Sequence, residues 1–205
     1  MSRDDNDGSN GYEAIAPEYI ARRELTMIGV PIVRAWARSL PPGASILDLG
    51  CGHGVPVCSA LLDDGFEIYG VDASPAMIAA FRARFPGTIV ACETVEESDF
   101  FGRTFDAAVA VGLMFLLSPE AQRNLIRGIA RILDPDGHFL FTSPARRCTW
   151  TDVLTGRRSA SLGAATYRTE LAEAGFTLVG EYVDEGGNHY YAARKETTSS
   201  RADPA

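Results

Sequence analysis

The chain has 205 residues, 46% of them apolar and 22% charged, a balance that suits one globular domain with a sizeable core and excludes a disordered or fibrous chain. Its formal charge of −8 argues against nucleic acid as a partner, because such affinity rests on Lys and Arg neutralising phosphates. No apolar run reaches the roughly 18 residues that span a bilayer, and the four cysteines and three histidines show no zinc-like spacing, so neither membrane nor metal is expected.

Residues 1–10 hold no apolar residue except Met1 and, like residues 196–205, read as disordered tails around one domain, 11–195. The acidic start is no basic leader, and the expected location is cytoplasmic. Between Tyr12 and Leu40, Ile15, Tyr19 and Ile20, then Met27, Ile28, Ile32, Val33, Trp36 and Leu40, recur at helical spacing. They predict two helices in an N-terminal segment, 11–43, that ends at Pro41-Pro42-Gly43. From Ser45 strands alternate with helices: strands over 45–49, 67–71, 88–92 and 105–111, helices over 55–64, 75–85 and 119–132. The alternation implies βαβ units and a parallel sheet covered on both faces. Asp134-Pro135-Asp136-Gly137 is a turn signal feeding a strand over 138–142. After a long loop come a helix over 164–174, closed by Gly175, and two strands, 177–184 and 188–194, joined by Glu185-Gly186-Gly187.

The chemistry concentrates where the first strand ends, in Ile46-Leu47-Asp48-Leu49-Gly50-Cys51-Gly52-His53-Gly54, and at Asp72, which ends the second strand. Glycine at every second position lets backbone bend and approach a ligand at the carboxyl ends of the strands. A pyrophosphate would be repelled by an acid two residues before the first glycine. S-adenosylmethionine (SAM) fits better: its ammonium and sulfonium suit Asp48, and its ribose diol suits the two oxygens of Asp72. Asp72 alone does not discriminate, since NAD-binding folds place an acid on the ribose at similar spacing.

Asp48-Leu-Gly-Cys-Gly-His-Gly54 with Gly70-Val-Asp-Ala-Ser-Pro-Ala-Met77 resembles motif I and the following acidic loop of the class I SAM-dependent methyltransferases. Thr104–Val111 and Ala130–Phe141 resemble the fourth and fifth strands of that family, so the likeness covers roughly residues 12–195. It implies a Rossmann-like, doubly wound sheet of seven strands, mostly parallel with the last antiparallel, and two extra N-terminal helices. It also implies that Asp48, Gly50, Cys51 and Gly52 surround the methionine end of SAM, and that Asp72 takes the ribose. Ala73, Met77, Glu93 and Thr94 would meet the adenine, and Val111 the sulfonium end. In many relatives the first helix folds over the cofactor, which assigns Tyr12 to the cofactor and Tyr19 and Arg23 to the acceptor. Relatives often carry substrate-facing His after the fourth strand; here stand Met114, Phe115 and Leu116, which suggests an apolar floor.

Further acceptor contacts are expected from the loop 146–162, with Trp150, and from Tyr190 on the final strand. His189 is the one histidine placed as a candidate base, since His53 sits in the turn and His138 starts a central strand; Tyr19 is the other candidate catalytic side chain. Methyl transfer from a sulfonium needs in-line approach of a nucleophile, and a base only if the acceptor must first lose a proton. The reading is therefore a SAM-dependent methyltransferase of a small-molecule acceptor, through oxygen, nitrogen or sulfur, in a monomer or homodimer. The rivals are a SAM-binding regulatory protein without transferase activity and an NAD-type oxidoreductase.

Overall fold

The structure, a computed structural model, describes residues 8–197; the outer parts of the two expected tails, 1–7 and 198–205, lie outside the described residues. The elements in order are α1 (Tyr12–Arg23), α2 (Val30–Ala37), β1 (Ser45–Leu49), α3 (Val57–Asp63), β2 (Glu67–Asp72), α4 (Pro75–Arg84), β3 (Ile89–Cys92), β4 (Phe105–Ala110), α5 (Pro119–Ile132), β5 (Leu133–Thr142), β6 (Cys148–Thr151), β7 (Arg158–Ser161), α6 (Ala164–Glu173), β8 (Phe176–Val183) and β9 (His189–Lys195). Helices α4 and α5 start where the sequence signals it. Ser74 and Ser118 cap them by accepting from the Met77 and Ala121 amides, and a proline follows each.

Seven strands form one sheet in the order β3-β2-β1-β4-β5-β9-β8. Strands β1 to β5 pair in parallel, and β9 runs antiparallel to both neighbours, β5 and β8. Alternating side chains split the core in two. Leu47, Leu49, Ala108, Phe139, Phe141 and Tyr191 pack with Leu125, Ile129 and Leu171 of α5 and α6. On the opposite face Ile46, Ala107, Val109, Leu140 and Ala192 pack with Val33 and Trp36 of α2, Leu61 of α3 and Phe81 of α4. The parallel order sets the carboxyl ends of β1, β2 and β4 side by side, where open α/β sheets receive ligands.

Three features differ from the sequence expectation. Asp134–Gly137 does not precede β5 but is looped out within it, as the β4–β5 ladder passes from Phe105–Leu133 to Ala107–His138. Asp136, at φ +65°, lies in this bulge. The long loop 146–162 contains the antiparallel pair β6–β7, registered Cys148–Ser161 to Thr151–Arg158. Its strands have four residues each, and only Cys148–Thr151 alternates while Arg158–Ser161 does not, too little pattern to mark a pair in sequence. Finally, Gly8–Asn10, read as part of the leading tail, form a turn ahead of α1, where Ser9 Oγ accepts from the Glu13 amide at 3.0 Å.

Candidate active site

The glycine turn is built from backbone. Gly50, Gly52 and Gly54 take φ of +68°, +55° and +87°, a region that costs a residue with a Cβ roughly 1–2 kcal/mol. The Gly50 and Cys51 amides donate to the Val71 carbonyl at 2.8 and 3.1 Å, which pins the turn to the end of β2. The Gly52 amide donates to Asp72 Oδ2 and the Ser74 amide to Asp72 Oδ1, both at 2.8 Å. Both carboxylate oxygens are thus aimed by backbone. Burial raises the Asp72 pKa, while those two amides pull it down.

Asp48 stands in β1 itself, not in the turn, and is buried. Cys58 Sγ donates to its Oδ2 at 2.9 Å. Burial pushes its pKa up to about 7, with the Cys58 hydrogen bond acting to lower it and Asp72 to raise it.

The glycine turn and Asp72 border a cavity of about 260 Å³. Gly50, Gly52, Asp72, Ala73, Met77, Glu93, Thr94, Val111, Tyr12 and Tyr19 all line it. Asp48 and Cys51 do not. They line a small adjoining recess of about 40 Å³ with Arg23, His53 and Tyr19. The Cys51 sulfur turns toward β2, within 2.8 Å of where a Gly70 Cβ would stand. His53 is buried, burial lowers its pKa ahead of the nearby Arg84 charge, and its Nε2 has no hydrogen-bond partner among the described residues.

The acceptor-side candidates spread further. Tyr12 and Tyr19 meet edge to face with ring centroids 5.1 Å apart, and burial raises both phenol pKa values, so both remain donors at neutral pH. Phe115 packs on Trp150 of β6 at 5.6 Å beside the cavity wall formed by Leu113, Leu116 and Leu117, and neither ring lines the cavity. Tyr190 is fully buried and donates to Asp184 Oδ2 at 3.0 Å, outside the cavity. His189 also lies outside it, with Nε2 2.9 Å from Glu181 Oε2 and its ring against Tyr191. Burial alone would raise the Glu181 pKa, but the hydrogen bonds from Arg168 and His189 bring it below the usual value.

Sequence reasoning missed two parts of the wall. Ser9 and Asn10 line the cavity from the turn before α1, whose N-cap is Gly11, and no helix-start spacing in the sequence marks them. The other is a buried network at Gln122. Its Nε2 donates to the Leu117 and Ala160 carbonyls, both at 2.9 Å, and its Oε1 accepts from Tyr167 at 2.5 Å. This ties the 113–117 wall to β7 and α6. Among the described residues no group of three His, Cys, Asp or Glu side chains is placed to hold a metal, and no helix is long and apolar enough to cross a membrane.

Residues 46–137 match a family model described as a methyltransferase domain. An uncharacterized methyltransferase of Synechocystis is 25% identical over 159 residues, covering 73% of this chain and 74% of that protein. A tRNA (carboxymethyluridine(34)-5-O)-methyltransferase of Arabidopsis thaliana is 32% identical over 146 residues, 70% of this chain but only 34% of the plant protein's length. Among solved structures, the Burkholderia thailandensis 1,6-didemethyltoxoflavin-N1-methyltransferase, with 1,6-didemethyltoxoflavin and S-adenosylhomocysteine bound, superposes with a TM-score of 0.70 at 22% identity, over 92% of this chain and 90% of that one. The resemblance to class I SAM-dependent methyltransferases holds in sequence over the glycine turn and the central strands, and in fold over nearly the whole chain.

Proposed function

We propose that this chain is a SAM-dependent methyltransferase whose acceptor is a small molecule methylated on oxygen, nitrogen or sulfur. One observation carries the reading: the Asp72 carboxylate, aimed by the Gly52 and Ser74 amides, borders the same cavity as the open glycine turn. A Cβ at Gly52 would meet nothing within 4 Å, so the turn leaves room for a ligand against its backbone. The acidic pair Asp48 and Asp72 suits a cationic, phosphate-free nucleoside and repels a pyrophosphate.

When bound, SAM supplies an activated methyl on a sulfonium. Asp72 would hold its ribose, Gly50 and Gly52 its methionine end with Asp48 behind them, and Glu93 and Thr94 its adenine edge, with Ala73 and Met77 against the ring. The Tyr12 and Tyr19 hydroxyls, protonated and on the cavity wall, would donate to a bound ligand, the apolar wall of Leu113, Leu116 and Leu117 excludes water, and the chain's contribution is orientation and desolvation. His189, paired with Glu181 and outside the cavity, would serve as a base only if the acceptor reached beyond that wall.

A small acceptor is favoured by the chain's net charge of −8, which opposes a polyanion. Incubation with methyl-labelled SAM and, separately, a metabolite extract and total tRNA tests the reading. Label in the small-molecule fraction is expected. Label in RNA overturns the acceptor class, and SAM binding without transfer favours a regulatory role. Calorimetric titration showing tight NADH binding and none for SAM overturns the cofactor.

A further inference from the structure

The helix over the cavity buries little side chain completely and is tied to α4 by polar contacts. Ala16 is the one fully buried residue of α1, and Pro17 removes the hydrogen bond that would reach the Glu13 carbonyl. Against this weak packing, the Glu13 carboxylate reaches across to the first turn of α4. Its Oε2 accepts from Ser74 Oγ at 2.5 Å and from the Ala76 amide at 3.0 Å. Ser74 is completely buried, and its hydroxyl also accepts from the Met77 amide. Without Glu13 that buried hydroxyl loses its acceptor. The Ser74 amide meanwhile holds Asp72 Oδ1, so one residue fastens the covering helix and aims the ribose acid. At the far end of α1, Glu24 pairs with Arg84 of α4; Glu13 is exposed too, but its partner Ser74 is buried, whereas Glu24 and Arg84 are both about two-fifths exposed, where such a pair is worth little.

The cavity beneath α1, about 260 Å³, is below the roughly 300–1,000 Å³ usual for a site holding one small ligand. Tyr12 and Tyr19 of α1 form part of its wall, and at this volume it does not hold a nucleoside cofactor and an acceptor together, so α1 has to shift outward for both to be seated.

We propose that Glu13 is a positioning residue: its contacts with Ser74 and Ala76 latch α1 across the cavity, and undocking of this carboxylate governs cofactor and product exchange. The proposal rests on the SAM reading of the cavity for its ligand, but the latch itself is a property of the ligand-free chain. Two measurements separate the two. In stopped-flow binding of S-adenosylhomocysteine, read by intrinsic tryptophan fluorescence, Glu13→Ala raises the association and dissociation rate constants together by about tenfold, the equivalent of one helix cap, while Kd changes little. Glu13→Gln, which keeps a side-chain acceptor, restores part of the slow exchange. Arg84→Ala, which breaks the exposed pair, leaves both rates within about twofold. Unchanged rates in Glu13→Ala, or a faster dissociation alone, overturn the latch, because lost contact with a ligand would raise only dissociation. If the wild-type chain binds no S-adenosylhomocysteine, the cofactor reading fails, and hydrogen exchange of the ligand-free protein decides the latch. Faster exchange of the α1 amides in Glu13→Ala supports it, and unchanged exchange overturns it. Should Glu13→Ala lower the melting temperature sharply, Glu13→Gln carries both measurements.

Discussion

Cys58 donates its thiol hydrogen to the Asp48 carboxylate at 2.9 Å inside a fully buried site, and among the described residues no cation forms an ion pair with that acid. The thiol is a weak donor, so burial prevails and the acid's pKa rises from 3.8 to about 7. The ligand-free fold thus carries a destabilising charge that a bound ammonium would offset.

The sign of the pH dependence follows. The folded chain holds the Asp48 proton more tightly than the unfolded chain, so the stability linked to that proton is full below about pH 4 and is lost as pH rises toward 7. At 1.36 kcal/mol per unit the loss is about 4 kcal/mol. Asp48→Asn is expected to melt higher than wild type at pH 8 without ligand, with the gap closing near pH 4, and to bind SAM more weakly. Wild-type affinity for SAM should rise from pH 6 to 8. Calorimetry across that range checks each point, and an Asp48→Asn variant less stable than wild type at pH 8 would contradict the cost assigned to the charge.

At Asp72 the loss falls on the ligand. Asp72→Ala removes a carboxylate whose two oxygens are aimed by Gly52 and Ser74, and SAM binding should weaken by about 1.5–3 kcal/mol. Isothermal titration measures it; unchanged affinity would mean that the ribose lies elsewhere.

Two glycines of one turn should separate folding from binding. A Cβ at Gly54 would stand 2.7 and 2.8 Å from the Phe85 and Phe81 rings, so Gly54→Ala should cost about 3 kcal/mol through overpacking and a left-handed φ. Gly52→Ala meets no protein atom within 4 Å, so it should cost only about 1–2 kcal/mol of stability while its methyl intrudes where the ligand passes. Chemical denaturation and SAM titration of both variants are the check. Equal stability losses would refute the distinction.

Gln122 offers a test of the acceptor wall. Gln122→Ala leaves the Leu117 and Ala160 carbonyls and the Tyr167 hydroxyl short of a partner in a buried place, a loss of about 3 kcal/mol. Urea unfolding measures the cost, and hydrogen exchange should show the β6–β7 hairpin opening more often. Unaltered hairpin protection would mean that Gln122 does not tie it down.

Much of this was legible because it is local. The strand–turn–helix at Ile46–Gly54 announces itself by alternate glycines after an apolar run, and Ser74-Pro75 and Ser118-Pro119 mark helix starts. The β6–β7 hairpin was not, since its pairing of Trp150 with Ser159 exists only across a turn, and the alternation of Cys148–Thr151 is one four-residue stretch whose partner, Arg158–Ser161, shows none. The same holds for Glu13 and Ser74, sixty-one residues apart, whose contact no spacing rule could announce.

By itself the sequence determined the order of the helices and of the seven main-sheet strands, the glycine turn and the two acids beside it, because backbone conformation and hydrophobic period are set by near neighbours. Tertiary structure alone decided which side chains share the cavity. It buried Asp48 behind the turn, turned His189 to Glu181, seated Tyr190 on Asp184 and closed α1 over the site through Glu13. Those outcomes depend on which distant surfaces exclude water from each other, and burial, not residue type, then decides whether a carboxylate, an imidazole or a phenol faces a ligand or a partner in the fold.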